Sequence, residues 1–115
     1  MYRLAYAETA EESPAENRLR ERQAIAHSIA LMELARQAGP KSRETIVALN
    51  FLRQLWTIMI EDLASGQNAL PPMLRAQIVS IGLSLLRQAE DIRLGRNDDF
   101  AGLIEVSRLI MEGLA

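Results

Sequence analysis

The chain has 115 residues, with 13 basic and 15 acidic side chains, a formal net charge of −2, 49% hydrophobic and only 4% aromatic residues, and no cysteine. That length fits one domain, the absence of thiols excludes disulfides, thiolate metal sites and cysteine nucleophiles, and charges interleaved without blocks disfavour nucleic acid and anionic membranes. An apolar set of Leu, Ile, Met and Ala favours helices and leaves few strand formers, so the expected fold is all-α.

Residues 1–12 are expected as a partly extended N-terminal segment, and the stretch from Thr9 to Ser13 lacks periodicity. Tyr2, Leu4 and Tyr6 are apolar enough to dock, whereas Thr9 to Ser13 reads as a tether. Two readings stay open: a frayed terminus, or Tyr2 and Tyr6 folded over a groove that a partner must clear. Nothing here resembles a basic start followed by an apolar run, and no later window offers a membrane-length apolar stretch. The expected location is the cytoplasm.

Ser13-Pro14-Ala15-Glu16 is a capping box with proline at the first helical position, predicting a helix over about 14–38 that Gly39-Pro40 ends. The second helix, about 42–64, closes at Ser65-Gly66-Gln67-Asn68. Its polar members Asn50, Arg53, Gln54, Thr57 and Glu61 wind into roughly 100° of arc, and nearly all the rest is apolar. One neighbour covers only about half that apolar width. The third helix, about 72–94, opens at Pro71-Pro72, has a similarly broad apolar side and meets Gly95, which suits a left-handed closure. Asn97-Asp98-Asp99 then caps a short fourth helix over about 99–113. The whole is one bundle of four helices.

Catalytic chemistry is poorly represented. His27, the lone histidine, lies among alanines and isoleucines with no nucleophile or metal-ligand spacing around it. Adjacent carboxylates such as Glu61-Asp62 point about 100° apart on a helix and do not converge on one cation or proton. The glycines stand singly, so no phosphate-cradling loop is present. No enzyme, metal or cofactor is expected. Asp62 is peculiar in winding onto the side of Phe51, Leu55 and Ile58. Either the helix frays there and the carboxylate meets water, or an arginine meets it. Twelve arginines against one lysine suit bidentate pairing with carboxylates.

Several runs carry a family likeness: Met1-Tyr2 with Tyr6-Ala7, Ser13-Pro14 with Arg20-Glu21-Arg22, Ala38-Gly39-Pro40-Lys41, Phe51-Leu52-Arg53-Gln54-Leu55-Trp56, and Ile60-Glu61-Asp62-Leu63-Ala64. Together with Leu70-Pro71-Pro72 and Phe100-Ala101-Gly102-Leu103, they make nearly the whole chain resemble the bacterial flagellar protein FlaF family. The resemblance implies a cytosolic factor of flagellum assembly that acts on flagellin, as a regulator of its synthesis and a chaperone for its secretion, with no enzymatic activity. It also implies a companion regulator, FlbT, acting on flagellin messenger RNA in the opposite direction.

Flagellin's terminal segments are amphipathic helices that polymerise after export, so a cytosolic keeper has to cover their apolar faces. Surplus apolar surface on the second and third helices suits that task. The expected partner-binding residues are Tyr2, Tyr6, Phe51, Trp56, Ile60, Asp62, Val79, Leu83 and Leu86, with Trp56, Ile60, Val79, Leu83 and Leu86 on flanks left open by a single neighbour. Ordinary core packing is the competing reading for each. The alternative function is a post-transcriptional regulator of flagellin messenger RNA acting with or against FlbT. Self-association, or FlbT itself, is a third use for the same faces.

Overall fold

The computed structural model describes residues 13–114 of the chain. Tyr2 and Tyr6 lie outside the described residues. Four α-helices make up the described part and no strand occurs in it: α1 Pro14–Ala38, α2 Arg43–Ala64, α3 Pro72–Arg93 and α4 Phe100–Gly113.

The ends of these helices follow from local chemistry. At Ser13 the side-chain oxygen accepts from the Glu16 amide at 3.2 Å, and the Glu16 carboxylate accepts from the Ser13 amide at 3.4 Å, completing the reciprocal cap. Gly39 ends α1 at φ +104° and Gly95 follows α3 at φ +76°, both in the region that disfavours a Cβ. The turn from α1 to α2 is tied at one carbonyl. Ser42 Oγ donates to the Gly39 oxygen at 2.7 Å and Thr45 Oγ1 donates to it at 2.8 Å, while Ser42 Oγ also accepts from the Thr45 amide at 3.2 Å. Ser42→Ala removes the N-cap and one of the two side-chain ties together, leaving the Ser42 amide bond to the same carbonyl at 3.2 Å. It is expected to lower the unfolding free energy by about 1–2 kcal/mol in urea titrations followed by circular dichroism.

At the opposite end, Arg75 of α3 donates to the Ser65 carbonyl at 3.0 Å and to the Leu63 carbonyl at 3.4 Å. A guanidinium there satisfies carbonyls that a helix C-terminus leaves open, and it fixes where α3 enters against α2. Asp99 caps α4, its side chain accepting from the Gly102 amide at 2.9 Å.

α2 is the middle element. It packs along α1 on one side and α3 on the other, α4 packs mainly on α1, and α3 meets α4 only sparsely. The core of Ile25, Met32, Leu52, Trp56, Leu85 and Leu103 lies between them. This arrangement explains the wide apolar girth of α2, because two neighbours share it while the Asn50, Arg53, Gln54, Thr57 and Glu61 stripe faces out. Ile46 winds into that same stripe and is accordingly 60% exposed. Ser28 on α1 and Ser107 on α4 are each 1% exposed. The hydroxyl of each is buried without a hydrogen-bond partner.

Candidate functional site

Trp56 differs from its expected position on an open flank. It is 0% exposed, and its ring lies on Gly82 of α3 so closely that a Cβ there would fall 2.5 Å from Cε3. The physical reason is that the α3 backbone, lacking a side chain at Gly82, comes in over the indole and closes it into the core. Trp56 is a packing anchor between α2 and α3.

The other expected residues divide into two groups. Phe51 and Asp62 face α1, roughly opposite Ile60 around the α2 axis. Phe51 is half-buried and meets the His27 ring edge-on at 4.8 Å between centroids. That contact gives the lone histidine a packing role. The helix does not fray at Asp62, since α2 continues to Ala64. The half-buried Asp62 carboxylate accepts from Asn68 Nδ2 at 2.8 Å and stands beside Glu21 of α1.

Ile60, Val79, Leu83 and Leu86 form the second group. Val79, Leu83 and Leu86 recur at helical spacing along one flank of α3, and Ile60 Cδ1 approaches the same flank at Gly82. Ile60, Val79 and Leu86 are half-buried against the core, whereas Leu83 keeps 45% of its surface open. They make a shallow apolar strip along the outer α2–α3 seam.

Toward the start of α2 the strip deepens into a notch of about 200 Å³ lined by Leu49, Asn50, Arg53, Leu86, Ala89, Glu90 and Arg93. Only Leu86 of that lining was expected from sequence. Asn50 and Arg53 belong to the polar stripe of α2, and winding alone places them in solvent without revealing that α3 turns the edge of that stripe into a rim. Glu90 and Arg93 are paired, with Arg93 Nε donating to Glu90 Oε2 at 2.9 Å. This hydrogen bond holds the Glu90 carboxyl below its ordinary pKa, and the nearby positive charges of Arg93, Arg53 and Arg96 act in the same direction.

Among the described residues, no group of three or more His, Asp or Glu side chains is placed to hold a metal ion, and no helix is long and apolar enough to cross a membrane. What this seam offers chemically is an apolar strip with a charged rim at one end, a surface suited to another amphipathic element. A family model described as "Flagellar protein FlaF" matches residues 2–114. No curated protein and no solved structure matches the chain.

Proposed function

The chain belongs to the flagellar protein FlaF family, and on that premise we propose that it is a flagellum-assembly factor that holds flagellin in an apolar helix-binding groove, coupling flagellin synthesis to secretion. The groove is the outer α2–α3 seam. One observation carries the reading: the Val79, Leu83 and Leu86 row lies on the outer flank of the α2–α3 seam and keeps apolar surface open, with Leu83 45% exposed. An amphipathic terminal helix of flagellin laid along that row would bury its own sticky face and be kept from polymerising before export. Binding of this kind places anchors at i, i+3 or i+4, and i+7, which is the spacing of the row itself.

The test is a pull-down of flagellin, and of flagellin fragments lacking either terminus, by the parent chain and by Leu83→Asp. A carboxylate in the middle of the strip desolvates badly on docking but lies in water in the free protein, so the fold should survive. Loss of at least about tenfold in affinity, with the circular dichroism spectrum unchanged, is the expected outcome. Equal capture by both chains would remove the seam as the flagellin site.

A further inference from the structure

The notch at the end of the seam has a lining that says more about its occupant. Its floor is apolar, with Leu49 7% and Ala89 6% exposed and Leu86 beside them. At about 200 Å³ it suits one large side chain, whereas pockets for whole small ligands run to about 300–1,000 Å³.

The rim charges do not cancel. Glu90 is taken by Arg93, whose Nε and Nη2 donate to its two carboxylate oxygens. Asp91 is taken by Arg96 at 3.3 Å. Arg53, on the facing edge, directs its guanidinium at the neutral side-chain oxygen of Asn50 at 3.5 Å, the outer limit of a hydrogen bond. Three cations therefore stand against two anions around this end of the seam, and Arg53, whose charge reaches Glu90 only through space, is the one that makes no hydrogen bond to a carboxylate. An arginine whose neighbouring carboxylates already serve other guanidiniums is prepared for a carboxylate from outside, which it meets in a planar, bidentate fashion.

We infer that the notch selects the partner helix by one apolar side chain and one acid: the apolar group seats on Leu49, Leu86 and Ala89, and a carboxylate one helical turn away pairs with Arg53. This rests on the seam being the partner site. It adds a register, because the charged notch lies at only one end of the strip and fixes which turn of an amphipathic helix is seated there. The required sequence in the partner is an apolar residue with Asp or Glu three or four positions from it, at about 5–6 Å along one face.

The experiment uses the full chain and labelled peptides covering the two terminal segments of flagellin, with affinity read by fluorescence anisotropy at low and high salt. For whichever peptide binds, Arg53→Glu should weaken affinity about tenfold or more at low salt, and most of the difference should fade at high salt. Arg108→Glu, on α4 and away from the seam, should bind as the parent does. Changing the acidic residue one turn from the peptide's apolar anchor to Lys should weaken binding to the parent and restore it to Arg53→Glu. If Arg53→Glu binds as the parent while Leu83→Asp does not, the charge reader is refuted and the apolar seam stands. Parent-like binding by both variants would refute the seam, and with it this inference.

Discussion

Trp56→Ala should lower the unfolding free energy by about 3–5 kcal/mol, a large share of the roughly 5–15 kcal/mol that holds a domain of this size together. The indole is 0% exposed and lies on Gly82, so its removal opens a cavity between α2 and α3 at a place where the two backbones are already close. Gly82 makes the prediction sharper. An added Cβ would sit 2.5 Å from Trp56 Cε3 and 2.8 Å from Cζ3, and a ring cannot bend out of the way as the end of a flexible chain does. Gly82→Ala should therefore destabilise by about 1–3 kcal/mol through overpacking, partly offset by the roughly 1 kcal/mol that alanine gains over glycine in a helix interior. With Trp56 already replaced by Ala the clash is gone and only the helix preference remains, so the sign of Gly82→Ala should reverse. Urea unfolding of the four chains, followed by far-ultraviolet circular dichroism, measures this cycle, with Trp56→Phe held in reserve if Trp56→Ala fails to fold. Equal destabilisation by Gly82→Ala in both backgrounds would show that the indole is not what excludes a side chain there.

That contact also marks where reading the sequence reaches its limit. Helix ends were legible, because caps depend on residues only a few positions apart: Ser13 with Glu16 for α1, Gly39 and Gly95 for the stops, Asp99 for the start of α4. The four-helix, all-α architecture follows from the same local signals. Winding the sequence also separates the Asn50, Arg53 and Glu61 stripe from the apolar girth of α2. What winding does not contain is how many neighbours share that girth. α2 is flanked by both α1 and α3, so the apparent surplus around Trp56 is largely consumed within the chain. The surplus on α3 is a different case, since Leu83 lies on the outer edge of the α2–α3 seam and keeps open surface that Trp56 does not. The rim of the notch was invisible for the converse reason. Arg53 looks like any solvated charge until the antiparallel partner brings Glu90 and Arg93 alongside.

Away from the seam, on the α1 side of α2, Glu21 should contribute a loss of stability as pH rises from about 4.5 to about 7. Its half-buried carboxyl is pushed up to about 7 from an ordinary 4.5, first by burial, then by the neighbouring Asp62 carboxylate, with Arg18 partly opposing both. The direction follows from proton linkage. Below about 4.5 the group is protonated in folded and unfolded chains alike and carries no penalty. Between 4.5 and 7 the unfolded chain releases the proton and the folded chain retains it, so folding becomes progressively less favourable. Above 7 the buried carboxylate is ionised in both states and the full penalty remains. Glu21→Gln keeps the shape and removes the titration. It should match the parent at pH 4 and exceed it at pH 8 by about 1–3 kcal/mol, solvent access to a half-buried group reducing the full value of the shift. Titrating groups away from Glu21 contribute equally to both chains and drop out of the difference, whereas loss of the repulsion with Asp62 belongs to the effect being measured. Asp62→Asn is a poorer probe, because Asn68 donates to that carboxylate and the replacement disturbs the turn into α3. Since Glu21 lies on the side of α2 facing away from Ile60 and Leu83, Glu21→Gln should leave partner binding at the seam unchanged while raising stability at neutral pH. Parallel stability curves for Glu21→Gln and the parent across pH 4 to 8 would remove Glu21 as the source of the pH dependence.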